Sequence, residues 1–172
     1  AKNYQGMQRI EAAYTYDGPT ASVNTVEKLL NIPINHYVVF NFLSFIKLID
    51  AVGGIDVNVK QAFDGVTKDG PGSIHFDAGK QHLDGTKALS YARERHSDND
   101  IMRGFRQQEI IQAVEDKLKS GQSIMKIMDI IDSLNGNIQT DVDSNELTHL
   151  VKDGLTWTNY DKQQLSFDWR TF

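Results

Sequence analysis

The chain has 172 residues, 40% of them hydrophobic and 24% charged, which is enough for one globular domain with a sizeable core and too short for two ordinary ones. Its net charge of −5 and the lack of any basic run exclude broad binding to nucleic acid or anionic membranes, so an anion would have to be held locally. There is no cysteine, which removes disulfides, thiolate metal sites and cysteine nucleophiles.

No linker, repeat or low-complexity tract divides the sequence, so residues 1–172 read as a single domain. A short helix is predicted over Gln8–Tyr14, ending near Asp17-Gly18, and a second over Ala21–Leu30 with Val23, Val26, Leu29 and Leu30 on one face. Asn35–Asn41 is rich in β-formers and reads as a buried strand. A helix follows over Leu43–Val52, stopped by Gly53-Gly54, where glycine takes the left-handed position without a Cβ clash. Ile55–Val59 alternates apolar and polar residues as a strand does. Lys60–Gly85 holds five of the thirteen glycines and is expected to be mostly loop, with a short strand at Ile74–Phe76.

Thr86–Tyr91 begins the next helix. A long helix to Lys119 is then expected, capped by Asp98 or Asp100, with Ile101, Phe105, Ile111, Val114 and Leu118 as its apolar face. Further elements are a helix over Ser123–Leu134, a strand over Ile138–Val142, a helix after the capping-box pattern Asp143-Ser-Asn-Glu146, and a strand over Gln163–Trp169. Helices outnumber strands and the two interleave, which is the pattern of an α/β layered domain.

Four of the six arginines, Arg93, Arg95, Arg103 and Arg106, fall in one window of this acidic chain. A guanidinium presents rigid paired donors that match phosphate oxygens two at a time, so several converging arginines suit a diphosphate. Arg103 and Gln107, four apart, share a helix face, and Arg106 lies close to that side. A solvated face balanced by Glu94, Asp98, Asp100 and Glu109 would explain the same charges. Asp98, Asn99 and Asp100 could offer oxygen ligands to magnesium, but helix capping accounts for the two aspartates equally simply. Asp50 and Asp56 flank Gly53-Gly54, where helix-end and loop stabilisation suffices to explain them. Tyr91 reads as a core anchor. The five histidines show no ligand spacing, and only His96 lies near the arginines.

The segments Ala88-Leu-Ser-Tyr-Ala-Arg-Glu-Arg95 and Asp100-Ile-Met-Arg-Gly-Phe-Arg-Gln-Gln108 resemble the signature of the LytR-CpsA-Psr family. Upstream segments agree: Arg9-Ile-Glu-Ala-Ala-Tyr14, Thr25–Leu30, Asp50-Ala-Val-Gly-Gly-Ile-Asp-Val57 and Leu83–Leu89. Together they cover roughly the first two thirds of the chain, in order. The resemblance implies a three-layer α/β/α sandwich with a mixed central sheet and a hydrophobic tunnel for a prenyl chain. It implies a glycopolymer phosphotransferase of the Gram-positive envelope, which moves wall teichoic acid, capsule or related polysaccharide from a polyprenyl-pyrophosphate carrier to peptidoglycan.

Carried over by motif, Arg95 and Arg103 would be catalytic, and Arg93, Arg95, Arg103, Arg106, Gln107 and Arg9 would bind the diphosphate. Val38, Phe40, Ile110, Ile111, Val114 and Leu118 would line the tunnel, although helical spacing alone makes the α-helical members ordinary core. The resemblance further implies Mg2+, whose ligands are expected outside this chain, and an extracytoplasmic location through an absent N-terminal anchor. The family's opening strands, with their acidic metal ligands, have no counterpart before Arg9, so the chain is expected to be an N-terminally truncated domain. Rival readings are a polyprenyl-pyrophosphate hydrolase, a non-catalytic lipid- or glycan-binding module and, against the net charge, a transcriptional regulator.

Overall fold

Four helices and six strands are interspersed among the described residues of the computed structural model, which are 9–67, 72–94, 100–118, 138–143, 146 and 149. Helix α1 (Ala12–Leu30) runs through the two helices expected around Asp17-Gly18, and the anticipated break is present. Asp17 and Gly18 leave helical geometry, Gly18 at φ 63°, and Pro19 opens the second segment, where its missing N–H has no helical partner to lose. No residue of α1 is buried, so its amphipathic pattern adds little to the core.

Strand β1 (Val38–Phe40) pairs antiparallel with β6 (Ile138–Thr140), in register Val38↔Thr140. Side chains reinforce the pairing: Thr140 Oγ1 donates to the Tyr37 carbonyl at 2.7 Å, and Asp141 accepts from the Tyr37 N–H at 2.9 Å. The buried strand expected over Asn35–Asn41 is thus shorter and not buried. Val38 and Phe40 remain 49% and 43% exposed, because strand pairing satisfies an edge but does not cover a face.

Helix α2 (Phe42–Ala51) starts on a capping box: Asn41 Oδ1 accepts from the Ser44 N–H at 2.8 Å, and Ser44 Oγ accepts from the Asn41 N–H at 3.0 Å. It ends as expected at Gly53-Gly54, with φ of 80° and 77°; their N–H groups return to the carbonyls of Asp50 and Ile49. The chain then enters β2 (Ile55–Val59), whose Ile55, Val57 and Val59 are buried while Asp56 and Asn58 face out.

The region expected to be mostly loop contains the short strand expected at Ile74–Phe76 and two further strands. These are β3 (Phe63–Val66) and β4 (Ser73–Phe76), paired antiparallel, and β5 (Gly79–Leu83), paired antiparallel with β2. Gly65 and Gly79 and the polar residues of these segments hide the β pattern. Pairing with β2 and stacking of Phe63 on Phe76 at 4.7 Å override that weak local preference.

Helix α3 (Gly85–Arg93) begins where Asp84 accepts from the Lys87 N–H at 2.8 Å and Asp50 accepts from the Gly85 N–H at 2.7 Å. It touches α2, β3, β5 and the long helix α4 (Asp100–Leu118), and so sits at the centre of the packing. The core joins Ile49 of α2, Val52 at its C-cap, the three inward residues of β2, Phe76, Leu83, Ala88, Tyr91 and Ile110.

The fold is α/β as expected. Among the described residues its strands form three two-stranded antiparallel ladders, and these strands alone do not assemble the single mixed sheet of the sandwich.

The buried stripe of α4 keeps the expected Val114 and Leu118 but not the other three residues. Ile101, Phe105 and Ile111 are 44%, 43% and 67% exposed, whereas Arg106 and Ile110 are buried and Val114 and Leu118 pack against the core. These four follow one i+4 row, and an arginine within that row disguised it. The expected helices over 123–134 and after Glu146, the expected strand over 163–169 and the cap at Asp98 lie outside the described residues, Glu146 and His149 excepted.

Candidate functional site

The exit of α3 and the first turns of α4 bring part of the arginine window together. Arg93, in the last turn of α3, lays its guanidinium carbon 4.6 Å from the centre of the Phe42 ring and reaches the Thr67 carbonyl at 3.5 Å. Across from it, Gln107 Nε2 donates to the carbonyl of Ala92 at 3.4 Å. Arg103 is half-buried one turn before Gln107, on the same side of α4. Gln107 thus ties α4 to the end of α3, with Arg103 one turn before it, while Arg93 leans toward Phe42 and Thr67. Arg95, together with His96, Asp98 and Asn99, lies outside the described residues.

Arg106 takes another place. Only 7% exposed, it packs its guanidinium over the rings of Phe63 and Tyr91, at 5.5 and 5.9 Å, and donates from Nη2 to the Glu94 carbonyl. A buried cation is costly unless aromatic faces and acceptors compensate it, and both are supplied here. The side chain acts as a strut that fixes the backbone one residue before Arg95. Arg9 is remote in character: its side chain is 89% exposed and forms a 3.7 Å ion pair with Glu11.

Glu109 was read from sequence only as a countercharge, yet it joins three elements. Its Oε1 accepts from the Asn58 N–H on the open edge of β2 at 2.8 Å, and its Oε2 accepts from the Tyr91 hydroxyl of α3 at 2.8 Å. Tyr91 is the buried anchor that the sequence indicates, 3% exposed. These bonds fix the roll of α4, and with it the direction of Arg103 and Gln107.

The proposed tunnel residues do not converge on one enclosure among the described residues. Ile110 is in the core, with Val114 and Leu118 against it. Val38 and Phe40 are exposed and lead along the chain to Phe42, the ring under Arg93. Ile111 points the other way, into an open groove of about 800 Å³ between α4 and the β2–β3 connection.

Among the described residues no group of three His, Asp or Glu side chains is placed to hold a metal. Asp50 is engaged by the start of α3, as noted above. Asp56 is held by Lys117 Nζ and His82 Nδ1, each at 2.7 Å, and these partners, Lys117 first, keep its carboxyl below the usual carboxylate range.

The LytR_cpsA_psr family model matches residues 2–168, well past the two thirds in which motifs are legible by eye. The chain belongs to this family. Among its relatives is the polyisoprenyl-teichoic acid–peptidoglycan teichoic acid transferase TagU of Oceanobacillus iheyensis, 39% identical over 164 residues, which are 91% of this chain and 48% of that protein. The chain therefore spans about half the length of that relative. The crystal structure of Bacillus subtilis TagV superposes with a TM-score of 0.76 at 36% identity, covering 91% of this chain and 61% of that one. A structure of TagT bound to LIIa-WTA gives 0.74 at 32%, covering 87% and 56%. The α/β architecture is thus that of this LytR_cpsA_psr group.

Proposed function

We propose that this chain carries the diphosphate-binding part of a glycopolymer phosphotransferase of the cell envelope. The reaction moves a teichoic acid or related polymer from a polyprenyl-pyrophosphate carrier to peptidoglycan, on the extracytoplasmic face of the membrane. The observation that carries this reading is the α3–α4 junction, where Gln107 bonds the carbonyl of the residue before Arg93 and Arg103 stands one turn before Gln107, on an otherwise acidic chain. The names of its relatives support the same chemistry.

An acceptor sugar hydroxyl attacks the phosphorus bearing the glycan. A new oxygen–phosphorus bond forms as the bond to the bridging oxygen breaks, polyprenyl phosphate leaves with that electron pair, and the hydroxyl proton passes to solvent. Such transfer depends mainly on positioning and charge neutralisation, for which guanidinium forks are suited. Arg93, Arg95 and Arg103 neutralise the two phosphates. Gln107 orients a phosphate oxygen, and Arg106 acts through the backbone before Arg95.

Exposed Val38 and Phe40, next to Phe42, offer apolar surface for the first prenyl units, at ~25 cal/mol per Å² buried. Magnesium belongs to this proposal, where it would share the neutralisation of phosphate charge with the arginines.

The test is binding of geranylgeranyl pyrophosphate to the folded chain, followed by turnover of a glycan-bearing carrier with and without peptidoglycan. Arg93→Ala and Arg103→Ala should each weaken binding tenfold or more. A folded parent that does not bind would overturn the reading. Release of free glycan phosphate in the presence of peptidoglycan would replace transfer by hydrolysis.

A further inference from the structure

The groove on the far side of α4 is chemically unlike the arginine window. Its walls carry the amides of Asn58, Gln61, Gln108 and Gln112, the ring of Phe105 and the side chain of Ile111. Phe105 and Ile111 are 43% and 67% exposed, unusual for large apolar residues unless something packs on them. Lys60 stands over the Phe105 ring, 5.7 Å from its centre. The ionisable lining is Asp56, Glu109 and Asp116 against Lys60 and Arg106, one negative charge in excess. Asp56 is already engaged by Lys117 and His82.

Amides can donate and accept at once, as adjacent sugar hydroxyls and N-acetyl groups require, and an aromatic ring covers the apolar C–H face of a pyranose. The volume lies in the range of pockets that enclose a small-molecule-sized ligand, hence a few sugar rings. A polyphosphate chain, by contrast, would meet a net negative wall among the described residues, with Arg106 already committed to Glu94, Phe63 and Tyr91.

We propose that this groove binds an uncharged or weakly charged amino-sugar glycan, and that it is the acceptor subsite rather than a path for the anionic polymer. The acceptor role rests on the function proposed above; glycan binding as such does not. The groove lining includes Met102 and Arg106, which flank Arg103 on α4 within one turn. A glycan lying along α4 would therefore present a hydroxyl near the diphosphate.

The probe is the N-acetylglucosamine tetramer, titrated against the whole chain by NMR alongside geranylgeranyl pyrophosphate, with a glycerol-phosphate oligomer as competitor. The tetramer should bind the parent and lose at least tenfold in affinity in Phe105→Ala and Gln112→Ala, both surface changes that leave the fold and diphosphate binding intact. Arg103→Ala should do the reverse. A tetramer that does not bind a diphosphate-competent chain, that binds both groove variants as well as the parent, or that the glycerol-phosphate oligomer displaces, overturns the subsite. If the tetramer binds in the groove but the diphosphate does not bind at all, the groove stands as a glycan site and the acceptor role falls with the phosphotransferase reading.

Discussion

Two titratable clusters give the molecule opposite responses to pH. His75 on β4 shares Nδ1 with Asp64 of β3 at 2.8 Å and has Asp77 within 3.5 Å of Nε2. The hydrogen bond to Asp64 raises its pKa above the ordinary histidine value, so the pairing stabilises the β3–β4 ladder below that value and is lost as pH rises through the folded one. The His75 resonance should titrate above a free histidine, and Asp64→Asn should bring it back down; a titration unchanged by Asp64→Asn would show the pair to be unimportant.

Asp56 behaves in the contrary sense. Lys117 and His82 depress it, so its contribution is present above the usual carboxylate pKa and lost as pH falls through the lowered one. Because its side chain is 65% exposed, solvent screens the effect strongly. Lys117→Met should therefore raise the Asp56 pKa, read by carboxyl NMR, with little change in Tm. None of these partnerships was legible in the sequence, since Asp56 and Lys117 are sixty-one positions apart and meet only through the packing of α4 on β2.

At the level of elements, ends were easier to read than strands. Gly53-Gly54 announced the end of α2 by composition alone, and Asp17-Gly18-Pro19 announced the break in α1. Such signals are local, because they depend on φ sign and on a missing N–H. The strands β3 and β5 were not legible, since their β character comes from partners rather than from their own residues. The capping box of α2 likewise stood in plain text as Asn41…Ser44, but Asn41 was absorbed into the strand before it.

Two substitutions separate these effects. Asn41→Ala should cost about 1 kcal/mol and lower Tm by about 2–4 °C, as the loss of a cap does. Gly85→Ala should cost more, because a Cβ there would lie 2.2 Å from the carbonyl oxygen of Ile46, a backbone atom that cannot rotate aside. Thermal melts that rank the two in the opposite order would mean α2 and α3 yield to each other more readily than their packing indicates.

For the molecule as a whole, α4 is the wall shared by two chemistries. Gln107 reaches α3, with Arg103 one turn before it, Phe105, Gln108 and Gln112 line the groove, and Arg106, Ile110, Val114 and Leu118 anchor the helix. The arginine window was legible because cationic forks are scarce in an acidic chain. The groove was not, because amides scattered over β2, a loop and α4 form no pattern in one dimension.

Such a shared wall makes the roll of α4 a common control over both ligands, and the hydrogen bonds of Glu109 set that roll. Tyr91→Phe removes one of them while keeping the ring in the core, and should cost about 1 kcal/mol. Unlike Arg103→Ala or Phe105→Ala, which should each impair one ligand, it should weaken geranylgeranyl pyrophosphate and the amino-sugar tetramer together by a few fold. Two titrations of one variant decide the matter. A Tyr91→Phe chain that is less stable yet binds both probes as the parent does would show that α4 keeps its orientation through the buried row alone, and that Glu109 contributes stability without aiming either site.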